Sequence, residues 1–284
     1  MHPSVPAACL NCHSTLTGPY CAQCGQKVPH TDVTLRELVH DATEELAHWE
    51  GKIPRTIATL LLKPGLLTRD FLAGRRARWL PPLRVYLICS LAYFASGPLI
   101  EAITHRPVEG PIKFGITNSN GNGRWTPEER RQIEDGLPAR VFGVQRLEHA
   151  TSDPAALNHE INGVLPKAMF VLLPIFALLT RIAWRRQMPR YPAHLYLALH
   201  IYAAWFAALA FVRIVAGLAP TVIGSVAGLA AFIYVLWYAL TAMRRVFGDS
   251  WPRTIAKTAA VAIAYVVCQI VVSVFLLAYA MTRM

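Results

Sequence analysis

Charge is what this chain has least of. Only 16% of its 284 residues are Asp, Glu, Lys or Arg, against about 25% in an average soluble protein. The deficit is uneven, because the first part of the chain is charge-rich and the last third is almost wholly apolar. That distribution excludes an ordinary water-soluble domain and points to a membrane protein. The opening "MHPSVPAACLNC" also lacks the basic residues and apolar core of a signal peptide, so an internal helix is expected to direct insertion. No HExxH, no GxSxG and no pair of carboxylates inside an apolar run is present, which leaves hydrolase or protease chemistry without a motif. The net charge of +11 would suit nucleic acid. Many of the basic residues instead lie in short clusters beside apolar runs, where they set topology.

A bilayer core of about 30 Å needs about 20 apolar residues of helix to cross it. Five stretches qualify, at residues 83–103, 165–184, 194–218, 220–243 and 257–281. The sequence therefore predicts an all-α polytopic membrane protein with about five transmembrane helices. Pro98 and Pro174 fall inside the first two, where neighbouring helices tolerate a kink. Arg75, Arg76, Arg78 and Arg84 precede the first span. Arg185, Arg186 and Arg190 separate the second and third, and Arg244, Arg245 and Arg253 the fourth and fifth. All three clusters fall on one side, so the positive-inside rule puts the N-terminus in the cytoplasm and the C-terminus outside. Residues 104–164 then form an outer loop. Its Asn/Gly run near Asn118 reads as a turn, and "TPEERRQIEDG" as a short helix capped at Thr126.

Four of the six cysteines are gathered in C-x2-C-x8-C-x2-C, as Cys9, Cys12, Cys21 and Cys24. Two CxxC turns facing each other supply four thiolates in a tetrahedral arrangement, which suits a structural Zn2+ with no open position for catalysis. Disulfides are disfavoured by a reducing compartment, a thiol redox pair by the lack of any thioredoxin-like surroundings, and a rubredoxin-type iron site is a further alternative. Gly25 suits a knuckle position of positive φ, and His13 stands at the equivalent place in the first pair. The intervening "HSTLTGPY" allows only a tight turn at Gly18-Pro19. So small a head, residues 1–30, depends on metal for its folding energy. Cys89 and Cys268 fall in predicted spans and read as small hydrophobes.

Residues 31–82 read as a cytoplasmic amphipathic region. Leu35, Leu38, Val39, Ala42, Leu46 and Trp49 share a helical face. A second short helix is expected from Pro54 to the "KPG" at Lys63, and the arginines and Trp79 of "FLAGRRARWLPPLRVY" read as anchors at the membrane entrance. The strings "CLNCH…GPYCAQCGQK", "LLLKPGLLTRDFLAGRRARWLPPLRVYLICSLAYF" and "LPKAMFVLLPIFALL" with "YPAHLYLALH" resemble an uncharacterised bacterial membrane-protein family, a domain of unknown function with a zinc-ribbon-like head. The resemblance implies an inner-membrane location and a metal-binding head, and carries no activity.

Within the spans, Lys167, Arg181, Arg213 and Glu101 lie near helix ends, where long side chains reach water. His200 and Gln269 lie deeper, and a hydrogen bond between helices is the expected role of His200. In the loop, His149, His159 and Glu160 are a weak metal candidate. The functional expectation is a non-enzymatic protein whose zinc head docks a protein partner at the cytoplasmic face, with membrane lipid around it and no nucleic acid. The alternative is a small-molecule transporter or membrane enzyme using His200 and Gln269.

Overall fold

The computed structural model describes residues 8–27, 51–105, 126–134, 154–219 and 221–283, with the single positions 136, 143 and 145. The amphipathic helix expected over residues 35–49, the Asn/Gly turn and His149 lie outside the described residues. The described chain is helical apart from two isolated antiparallel bridges in the cysteine head. It divides into two compact units, one of residues 1–106 and 173–262, the other of 107–172 and 263–284.

In the first unit, α1 (Lys52–Leu62) and α2 (Leu66–Leu72) form a short helical hairpin. Thr56 and Leu60, one turn apart, are its fully buried face on α1. Lys63 precedes a proline and leaves helical geometry, as residues before proline do. Gly65 then makes the turn with φ +74°. Next comes α3 (Pro82–Thr104), which starts on a proline and continues through Pro98. α6 (Tyr191–Leu218) is the central helix, packed against α1, α2, α3 and α7 (Thr221–Phe247). Phe206 of α6 locks it to α3, with its ring 5.8 Å from Tyr86, 5.5 Å from Tyr93 and 5.7 Å from Phe94.

α5 (Pro154–Trp184) begins ten residues before the end of the segment read as outer loop, and α8 (Trp251–Arg283) closes the chain. In the second unit, α4 (Pro127–Glu134) is the short helix expected after Thr126, with an exposed Arg130–Glu134 pair at 3.4 Å.

Five of these helices are long and apolar enough to cross a membrane: α3, α5 from Lys167, α6, α7 from Val222 and α8 to Ala280. The polytopic all-α expectation holds. Much of α7 is bare, with Val222, Val226, Leu229, Phe232 and Ile233 exposed. In water such a surface would drive association; in a bilayer it is the ordinary outer face of a span.

Contacts gather the short connections at one end of the first unit. Arg245 Nη1 donates to the Pro64 carbonyl at 2.6 Å, the Trp184 Nε1–H to Asp249 Oδ2 at 2.9 Å, and the His194 ring stacks on Phe247 at 5.3 Å. Gly65 touches α7 so closely that a Cβ there would lie 2.9 Å from the Ala242 backbone. Gly65→Ala is therefore expected to cost about 2–4 kcal/mol from positive φ and overpacking together. Gly228→Ala, where nothing lies within 4 Å, is expected to leave stability unchanged or slightly raised. Thermal unfolding of the two variants in detergent checks the difference.

Candidate metal centre

The head is built from two copies of one small turn. Cys9 N–H donates to the Ser14 carbonyl and His13 N–H to the Cys9 carbonyl, both at 2.8 Å. Twelve residues on, Cys21 N–H meets the Gln26 carbonyl at 2.9 Å and Gly25 N–H the Cys21 carbonyl at 2.8 Å. The bridges Ala8–Thr15 and Tyr20–Lys27 close the turns at corresponding positions. His13 has φ +63° and Gly25 φ +71°, so the histidine adopts the left-handed geometry that favours glycine. Gly18 and Pro19 form the bend between the copies.

This repetition brings four free thiols together: the Sγ atoms of Cys9, Cys12, Cys21 and Cys24 all lie within 4.8 Å of one another. The nearest pairs cross between the turns, Cys9 to Cys24 at 3.6 Å and Cys12 to Cys21 at 3.5 Å. Metal–thiolate bonds of about 2.3 Å put the corners of a tetrahedron about 3.8 Å apart, so the four sulfurs fit a single metal ion. The Ser14 hydroxyl stands 3.0 Å from both Cys12 Sγ and Cys21 Sγ. Its one proton serves one sulfur at a time. Hydrogen bonding to Ser14 draws the Cys21 thiol down to about 6 and lowers Cys12 as well, while burial pushes Cys24 up to about 11. Hydrogen bonding to Ser14 thus favours, at Cys12 and Cys21, the thiolate form that a metal requires.

The head does not hang free. Gln26, 7% exposed, reaches the loop between α2 and α3. Its Nε2 donates to the Gly74 carbonyl at 2.7 Å, and its Oε1 accepts from the backbone N–H groups of Arg76 at 2.9 Å and Ala77 at 3.0 Å. Arg78 returns the contact, donating to Asn11 Oδ1 at 3.2 Å and to the Asn11 carbonyl at 3.1 Å. Gly74 has φ +76°, and a Cβ there would run into Leu10.

These bonds correct the reading of "GRRARW" as membrane-entrance anchors. Trp79 is 7% exposed, its Nε1–H donating to Asp70 Oδ2 at 2.9 Å with Arg55 over its ring at 5.4 Å. Arg75 pairs with the other oxygen of the same carboxylate at 2.6 Å. Asp70 organises the loop, and no spacing rule marked it. An aspartate four residues before "GRR" was the only available sign.

Of the deeper candidates, His200 is fully buried on α6 and its Nδ1 lies 2.9 Å from the Thr68 hydroxyl of α2, the interhelical bond expected for it. Gln269 is half-buried on the part of α8 that belongs to the second unit. Arg213 lies with its guanidinium 5.6 Å over the Tyr93 ring and against Gly97 of α3. Glu160 is half-buried on α5, and the side chain of His159 lies outside the described residues.

Residues 50–94 match a family described as "Protein of unknown function (DUF3667)". The matched segment holds the α1–α2 hairpin, the loop that receives the head and the first part of α3. No curated protein and no solved structure matches the chain significantly.

Gln26→Leu removes three hydrogen bonds and orphans two backbone donors, which is expected to weaken the attachment by about 2–3 kcal/mol. Hydrogen exchange at the Arg76 and Ala77 amides should accelerate in that variant; unchanged exchange would contradict the contact.

Proposed function

We propose that Cys9, Cys12, Cys21 and Cys24 hold one structural Zn2+, and that the metal-folded head is a cytoplasmic docking module for a protein partner. The protein is a multi-pass, non-enzymatic component of a bacterial inner membrane. The observation that carries this reading is the four sulfurs within 4.8 Å on two matching turns. Four thiolates close the coordination shell and leave no place for a reacting water, so the metal's role is to stiffen a surface.

The setting follows from charge. The loop carrying Arg75, Arg76 and Arg78 holds the head, and the contacts of Arg245 and Trp184 gather the other arginine-bearing connections at one end of the unit. Three basic clusters beside the ends of apolar helices are what cytoplasmic exposure favours. Gln26 and Asn11 face the chain's own loop, whereas Tyr20 is 58% exposed and His13, Gln23 and Lys27 are also exposed. An exposed aromatic on a rigid turn is the natural anchor for a partner.

Metal analysis of the purified full-length protein is expected to give about one zinc per chain, lost in Cys9→Ser with Cys21→Ser; absence of zinc from wild type removes the centre. Ser14→Ala deprives the Cys21 and Cys12 thiolates of the bond that lowers their proton affinity. Protons then compete better for the sulfurs, so zinc release on acidification should begin at a higher pH than in wild type. For docking, crosslinked native membranes should yield a partner with wild type that is lost in Tyr20→Glu while zinc content stays intact. A partner profile insensitive to that change contradicts docking through this face.

A further inference from the structure

A cavity of about 500 Å³ opens at the end of the first unit where α5 finishes and α8 begins. Its walls include Arg185, Arg186, Arg253 and Lys257 against the single carboxylate of Asp249. Four cations facing one anion leave an excess of three positive charges.

The carboxylate is already saturated. It takes the Lys257 ammonium at 2.8 Å, the Trp184 Nε1–H at 2.9 Å and the Gln187 amide at 3.1 Å. These bonds hold Asp249 below the usual carboxylate range, with Lys257 the largest cause. Lys257 also lies 5.3 Å over the Trp184 ring. Asp249 and Lys257 are therefore a fixed, internally neutral pair in the cavity wall. The three arginines that share the wall are exposed and have no ion-pair or hydrogen-bond partner among the described residues.

From this geometry we infer that the cavity binds the phosphate of an anionic phospholipid headgroup. Guanidinium forks match phosphate oxygens in pairs, which an ammonium does not. Depth argues for a lipid rather than a soluble phosphate. Trp184 ends one candidate span and Trp251 begins another, so the cavity sits at the ends of two candidate spans. Ile182, in its wall, is 61% exposed, and Ile255 on α8 is 50% exposed. An acyl chain below and a phosphate above would meet apolar and basic surface in the same order. Basic pockets between spans at the cytoplasmic surface suit such headgroups in general. This site is separate from the metal centre and its docking face.

The test uses full-length protein, purified in detergent and delipidated, then offered phosphatidylglycerol, phosphatidylcholine or inorganic phosphate. Native mass spectrometry counts retained lipid, and thermal unfolding reports stabilisation. Wild type is expected to retain phosphatidylglycerol at least roughly tenfold better than phosphatidylcholine. Each arginine should supply roughly fivefold, the equivalent of about 1 kcal/mol, so Arg185→Gln with Arg253→Gln should lose roughly twenty-five-fold. Both positions are exposed, and an unfolding midpoint unchanged without lipid verifies that the variant is folded. Arg190→Gln removes one charge, as Arg185→Gln alone does, from the connection that carries Arg185 but outside the cavity, and should keep the preference. Equal retention of the two lipids by wild type overturns the site, as does a loss in Arg190→Gln matching the double variant. Stabilisation by inorganic phosphate equal to that by phosphatidylglycerol overturns the lipid assignment.

Discussion

One carboxamide couples the cysteine head to the helical body. Gln26 donates to Gly74 and accepts from Arg76 and Ala77, pairing a side chain with backbone groups much as a strand edge would. Its aim depends on the second turn, because the Gln26 carbonyl closes the Cys21 turn while its side chain bonds the loop before α3. That turn has too little apolar surface to hold its shape alone, and four thiols kept close by a metal are the natural source of the missing stability. The dependence runs from sulfur cluster to turn, from turn to Gln26, and from Gln26 to the loop before α3.

The loop passes the constraint inward. Asp70 fixes Arg75 and Trp79 together, and the α2 helix that carries Asp70 also presents Thr68 to His200 of α6. A path of hydrogen bonds and packed helix therefore connects the thiol cluster to His200 of α6. It crosses the segment that matches the family of unknown function, residues 50–94, in which Gly65 and Gly74 lie. Gly65 allows α2 to press on α7, and Gly74 lets the chain turn under Leu10.

The sequence was most informative where a period or a spacing carried the signal. Long apolar runs announced five spans, and two CxxC pairs announced the thiol cluster and the positive φ at Gly25. It was silent where a single side chain meets a distant backbone. Gln26 and Gly74 are 48 residues apart, and an isolated glutamine after a CxxC has no pattern that separates a clasp from a solvated polar residue. Arginines beside an apolar run have two physical uses, lipid contact and tertiary pairing. Only the observed partners Asp70 and Asn11 decide between them for Arg75 and Arg78. Trp79 was misread for the same reason, since a buried indole bonded to a carboxylate and an interfacial indole look identical in a string of letters.

The most direct measurement is hydrogen exchange of the full-length protein before and after a chelator removes metal from the head. If metal, turn and clasp form one dependent series, exchange at Cys9, His13, Cys21 and Gly25 should accelerate together with that at Arg76 and Ala77, while α6 around Phe206 stays protected. Acceleration confined to the head, with Arg76 and Ala77 unchanged, would contradict the coupling through Gln26. Exchange unaffected anywhere after metal removal would contradict metal-dependent folding itself.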